Sequence, residues 1–165
     1  MIAHAKPHAP LDVYETTVAG DWIDYNGHMN DAAYAIVFSR SVDALMDRIG
    51  LDAAARRSTG QSLYTLQMML HYFREAREGE RLAVCCHLLE HDDKRLRVWL
   101  EMFDAKGEKL AASEQLLMSV ALADGAARAV SWTFETEAAL DALQKLHAAM
   151  PHPAEAGAGI GLKRK

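Results

Sequence analysis

Asn30–Gly50, NDAAYAIVFSRSVDALMDRIG, is the stretch on which the fold turns. Tyr34, Val37, Phe38, Val42, Leu45 and Ile49 recur at steps of one, three or four residues, which stacks them into one apolar stripe. The spacing predicts a single long helix, about Asp31 to Ile49. Asn30 suits the N-cap, Asp31 the positive end of the helix dipole, and Gly50 the C-terminal stop.

The segments on either side of that helix read as strands. Before it, residues 12–19 alternate and carry β-branched types. After it, a polar stretch around Arg56 to Gly60 leads into a long apolar run over 61–75. Three clearer strands follow. Leu82, Val84, Cys86 and Leu88 share one face of 81–90, and Leu96, Val98, Leu100 and Met102 share one face of 95–103. In 108–122 the pattern puts Leu110, Ala112, Glu114, Leu116, Met118 and Val120 together. The joins His91-Asp92-Asp93-Lys94 and Asp104-Ala105-Lys106-Gly107 are short and turn-like, which predicts antiparallel hairpins. A short strand near 126–133 and a last helix over about 136–149, ended by Pro151, complete the order. A sheet with one apolar face must cover it. The expectation is therefore an α+β hotdog fold: a curved antiparallel sheet of five to six strands wrapped around one long central helix. Residues 1–11 read as a flexible N-terminus, 12–150 as the domain, and 151–165 as a flexible tail with a basic end.

Bulk properties narrow the function. A chain of 165 residues suits one domain. Its formal net charge of −5 argues against broad nucleic-acid binding, which needs a basic surface. No apolar run approaches the roughly 20 residues of a membrane span, and the first ten residues have no apolar signal core. Cys85 and Cys86 are neighbours in a strand, so they point to opposite faces and do not suit a disulfide. They fit a reducing cytoplasm.

The chemistry concentrates in Asp24-Tyr25-Asn26-Gly27-His28-Met29-Asn30, just ahead of the helix. Asp, Asn and Gly are common turn residues, so a plain turn and N-cap is one reading. The other weighs the carboxylate and imidazole beside a helix N-terminus, whose free N–H groups can bind a developing negative charge.

Asp24-x-x-Gly27-His28-x-Asn30, with Tyr34 one turn into the helix, resembles the signature loop of the 4-hydroxybenzoyl-CoA thioesterase branch of hotdog proteins. The resemblance implies an acyl-CoA thioesterase that needs no cofactor beyond the CoA of its substrate. It places the catalytic carboxylate, nucleophile or general base, on Asp24. It places the amide that polarises the thioester carbonyl at or next to Asp31, with Asn30 and His28 shaping the loop. It further implies an active site between subunits of a homodimer or dimer of dimers. Gly20-Asp21-Trp22, His71-Tyr72-x-Arg74-Glu75-Ala76, Gly79-Glu80 and Ser113-Glu114-Gln115 resemble a narrower group, the betainyl-CoA thioesterases of carnitine breakdown. The chain departs from that group at Ser119-Val120-Ala121, where the group often carries a His.

A betaine acyl group is a quaternary ammonium, held by aromatic faces and a nearby carboxylate. Glu114, the one charge on its predicted strand face, is the candidate carboxylate, against a plainer reading as a strand-end or interface carboxylate paired with an Arg. Trp22, Tyr25, Tyr72 and Trp99 are the candidate rings. Arg56, Arg57, Lys163 and Arg164 are candidates for the CoA phosphates, against a plainer reading as solvated charges. The eight histidines show no HExxH or CxxC spacing, so no metal is expected. No GxSxG elbow is present. Two alternatives stand beside the thioesterase: a hotdog enoyl-CoA hydratase or dehydratase using Asp24 and His28, and a non-catalytic acyl-CoA-binding protein.

Overall fold

The computed structural model describes residues 9–162 apart from Asp124. Strand β1 (Leu11–Thr17) leads through a 3-10 turn (Gly20–Trp22) to helix α1 (Asp31–Arg48) and a short helix α2 (Ala53–Thr59). Strands β2 (Gln61–Tyr72), β3 (Arg81–His91), β4 (Arg95–Asp104), β5 (Lys109–Ala123) and β6 (Ala126–Ala129) follow, and helix α3 (Phe134–His147) is last. The strands form one sheet in the order β1-β3-β4-β5-β2, with β6 beside the far end of β5. Every pairing is antiparallel. This is the curved sheet around one long helix that the element order predicts.

Helix α1 forms where the stripe requires it. The Asn30 side chain accepts a hydrogen bond from the Ala32 N–H at 2.9 Å. At the other end Gly50 turns the chain with φ +82°, a left-handed conformation that costs a residue without Cβ least. Val37, Phe38, Leu45 and Ile49 are fully buried, each stabilising the fold by about 1.5–3 kcal/mol. They meet Leu82, Val84, Cys86 and Leu88 of β3 and Leu96, Val98, Leu100 and Met102 of β4 in one core.

Both predicted hairpins are present. Asp92 accepts from the Lys94 and Arg95 N–H groups at 2.9 and 2.7 Å. Its bonds to the Arg95 side chain, then to the Lys94 N–H, hold its carboxyl down at about 2. Asp104 accepts from the Lys106 and Glu108 N–H groups, both at 2.8 Å.

Strand β5 departs from its predicted facing. Its odd residues lie opposite the core residues of β4: Ser113 faces Leu100, Gln115 faces Val98 and Leu117 faces Leu96. Glu114 and Leu116 instead face Trp99 and Arg97, on the outer side of the sheet. The physical cause is twofold. A bulge at Met102/Phe103 shifts the register beside Lys109. Small and apolar residues also occupy both faces of β5, so alternation does not mark the inner one. The outer face is partly covered by residues 150–159, which carry no regular helix or strand.

Candidate active site

The loop before α1 is shaped by its own backbone and by one carboxylate. The Asp24 N–H donates to the His28 carbonyl at 2.9 Å, and the Gly27 N–H to the Asp24 carbonyl at 3.0 Å. Asp24 Oδ1 accepts from the Asn26 N–H at 2.7 Å and lies 3.5 Å from the His28 N–H. Gly27 sits at φ +80°, which the tight turn requires. The Asn30 N–H reaches the Trp22 carbonyl and the Met29 N–H reaches the Ala76 carbonyl, both at 2.8 Å. The loop is thus anchored to the chain that leaves β2.

Tyr34 completes that anchor from the first turn of α1. Its hydroxyl donates to the Arg74 carbonyl at 3.3 Å and accepts from the Ala76 N–H at 3.1 Å. Burial, and to a smaller extent the Glu75 charge, pushes the Tyr34 phenol above its ordinary value. Tyr72 stands edge-on to it, ring centroids 5.3 Å apart, and donates to the Asp31 carbonyl at 3.2 Å. Burial and the Asp31 charge raise the Tyr72 phenol likewise.

These elements enclose an open cleft of about 680 Å³ lined by Asp24, Asn26, His28, Asp31, Tyr72 and Glu75, among others. Two groups on its lining residues are without a protein partner. Asp24 Oδ2 has no protein partner among the described residues. At the helix opening, the Ala32 N–H is taken by the Asn30 side chain and the Ala33 N–H by the Asn30 carbonyl. The Asp31 N–H is left without an acceptor among the described residues. The residues that carry this carboxylate oxygen and this free helix-start amide, Asp24 and Asp31, therefore line the same cavity.

His28 lines the cleft, but its ring turns to Glu75, Nε2 to Oε2 3.1 Å. No three His, Cys, Asp or Glu side chains converge on a metal position among the described residues. Burial pushes the Cys85 thiol up to about 12 and raises Cys86 as well, so neither supplies a thiolate.

Of the residues singled out in the sequence, Asp24, His28, Asp31 and Tyr72 come together here, and Asn30 caps the helix beside them. Others do not line the cleft. Tyr25 is 97 % exposed at the loop tip. Trp22 is half-buried against the core, with the Arg40 guanidinium 5.4 Å from its ring centre. Trp99 is buried on the outer face, its indole N–H donating to Glu101 at 3.1 Å. Glu114 shares that face, and both its oxygens are occupied: Arg97 lies at 3.2 Å from one and the Gly157 N–H at 2.7 Å from the other. Arg56 bonds the Leu51 carbonyl at 2.7 Å, just past the C-terminal end of α1. Within one protomer Arg56 and Arg57 thus stand roughly a helix length, about 27 Å at 1.5 Å per residue, from the cleft. Lys163 and Arg164 lie outside the described residues. Phe73, Arg74 and Glu75 line the cleft without having been assigned a role. Their signal was the ring pair Tyr72-Phe73 running into a charged pair at a strand end.

Comparison with known proteins agrees with this geometry. The family model of the thioesterase-like superfamily matches residues 18–155. The chain is 44 % identical to the betainyl-CoA thioesterase of Pseudomonas aeruginosa, over 92 % of this chain and 95 % of that one. It is 39 % identical to an L-carnitine dehydrogenase/betainyl-CoA thioesterase of Agrobacterium fabrum, over 92 % of this chain and 30 % of that longer protein. Among solved structures, a candidate thioesterase of Pseudomonas putida superimposes with a TM-score of 0.79 at 36 % identity, covering 94 % of this chain and 99 % of that one. A Staphylococcus aureus protein solved in complex with CoA gives a TM-score of 0.85 at 24 % identity, over 98 % and 100 % of the two chains, a likeness of fold. Taken with the carboxylate and the free amide at the helix opening, the match over most of its length means that this chain belongs to the thioesterase-like superfamily.

Proposed function

We propose that the protein hydrolyses an acyl-CoA thioester to free acid and CoA, with betainyl-CoA as substrate and glycine betaine as the acid released. The observation that carries the reading is the pairing in one cleft of Asp24, with one oxygen free, and the unpartnered Asp31 N–H. Thioester hydrolysis builds negative charge on the carbonyl oxygen, and one well-aimed donor is worth about 3 kcal/mol to that transition state. The Asp31 N–H is that donor. Asp24 attacks the carbonyl carbon directly, or takes a proton from the water that does. Both routes expel the CoA thiolate and leave the acid, and water supplies the new oxygen. No further cofactor takes part.

The acyl assignment draws on the betainyl-CoA thioesterase at 44 % identity and on the charge of the cleft. Asp24, Asp31 and Glu75 line it against one guanidinium, Arg74, which Glu108 already holds at 2.9 Å. Such a cavity favours a cationic acyl head over a neutral or anionic one. Enoyl-CoA hydration would ask an imidazole and a carboxylate to share one water. The His28 ring is instead committed to Glu75.

A homodimer belongs to the same proposal. β2 ends the sheet, and Tyr64, Leu66, Met68, Tyr72 and Phe73 are exposed along it. An open apolar edge of that kind pairs readily with a second copy. The cleft lies at the end of that edge, so the partner would complete it. A cytoplasmic site of action fits the unbridged cysteines. No helix of the described residues is long and apolar enough to cross a membrane.

The test is a thiol-release screen over acyl-CoAs that includes betainyl-CoA and crotonyl-CoA. Stoichiometric CoA and acid from betainyl-CoA are expected. Hydration of crotonyl-CoA without thiol release would contradict the reading.

A further inference from the structure

The carboxylate expected to meet the cationic acyl head, Glu114, is neutralised on the far side of the sheet by Arg97 and the Gly157 N–H. A trimethylammonium group donates no ordinary hydrogen bond. Its recognition needs an aromatic face and an anion that no protein cation has already satisfied. Glu75 and the Tyr72 ring, both in the cleft, supply such a pair away from the reacting groups.

Glu75 lies just beyond the end of β2. Its side chain is 72 % exposed and lines the cleft. One oxygen contacts His28 Nε2 at 3.1 Å, and the other has no protein partner among the described residues. The His28 contact fixes the carboxylate beside the Asp24 loop. Tyr72 stands three residues earlier in the same cleft, 50 % exposed. Its hydroxyl is tied to the Asp31 carbonyl and its edge to Tyr34, so the ring is held in place while half its surface stays open. The Tyr72 hydroxyl also touches the residue whose N–H is the oxyanion donor. That sets the ring in the same cleft as the Asp31 N–H, and in betainyl-CoA a single methylene separates carbonyl from ammonium.

We propose that Glu75 and the Tyr72 ring form the subsite that selects a quaternary ammonium acyl group. The inference rests on the thioesterase reading above and assigns its specificity to two residues. Asp24 performs the chemistry on any acyl group that reaches it, and Glu75 decides which acyl group is preferred. Glu75 touches no reacting atom, so its removal changes selectivity before it changes chemistry.

The experiment compares kcat/KM for betainyl-CoA with that for tert-butylacetyl-CoA, which has the same shape with carbon in place of the charged nitrogen. Wild-type protein should prefer the charged ester. Glu75→Gln keeps an oxygen for His28 and removes the charge, so that preference should fall about tenfold. Tyr72→Leu should lower it further. A Glu75→Gln variant that loses rate equally on both esters, or on neither, would overturn the subsite, since a purely structural role moves both alike. The wild-type ratio reads the proposed substrate and the variant ratio reads Glu75. Wild-type protein that cleaves both esters alike contradicts the betainyl-CoA assignment itself.

Discussion

A single hydroxyl shows how tightly the site depends on individual groups. Tyr34 joins the first turn of α1 to the segment that carries Glu75, by accepting from the buried Ala76 N–H and donating to the Arg74 carbonyl. Tyr34→Phe keeps the ring and strands that N–H. A loss of about 1–3 kcal/mol in unfolding free energy is expected, read from urea titrations. An unchanged midpoint would mean that water replaces the hydroxyl freely. At this scale the sequence was legible where a residue's role is local. Asp24, His28 and Asn30 lie within seven residues of one another, and loop geometry alone brings them together. Glu114 and Trp99 do not line the cleft, because they pair with each other on the outer face of the sheet. Glu75 stood within a quoted stretch but was given no role, because its partner His28 lies 47 residues away in the chain.

Helix ends and helix docking set the next level. The Asn30 side chain satisfies the Ala32 N–H, which leaves the Asp31 N–H as the one open donor among the first three helix amides. Asn30→Ala removes the cap and should cost about 1 kcal/mol of stability, measured by thermal unfolding. Helix α3 docks through Leu140 and Leu143 and through His147, whose Nδ1 accepts from the buried Leu88 N–H at 3.0 Å. That bond requires a neutral imidazole. Burial, with His87 close by, lowers His147 to about 4. In the unfolded chain a histidine takes its proton near 6.5. The unfolded state therefore binds the proton first as pH falls, and stability drops between about 6.5 and 4, by at most about 3 kcal/mol. Above 6.5 this penalty is absent. Urea midpoints across that range should fall, and His147→Gln should flatten the fall. The long helix, β3, β4 and both hairpin turns were legible because each pairs a clear period with turn residues. Helix α2 was not, because its seven residues, three alanines and then Arg56, Arg57, Ser58 and Thr59, carry no apolar stripe to count.

At the scale of the whole molecule, the sheet leaves one long edge, β2, and the cleft opens at the end of it. Leu66 sits there at an irregularity in the pairing with β5 and is exposed. Leu66→Lys should blunt the edge, as charged residues do on strands that avoid pairing. Sedimentation should then show monomer, with thioesterase activity lost in parallel. A monomer that keeps full activity would confine the site to one chain. The central claim is simpler than the assembly and can be read directly. Wild-type protein and Asp24→Asn should be compared for thiol release from betainyl-CoA, with melting temperatures measured on the same samples. The amide substitution should lower kcat by about three orders of magnitude or more, because it removes the carboxylate proposed to attack the carbonyl or to activate water, while the melting temperature stays within a few degrees. An Asp24→Asn protein that retains kcat within tenfold of wild type would contradict the account.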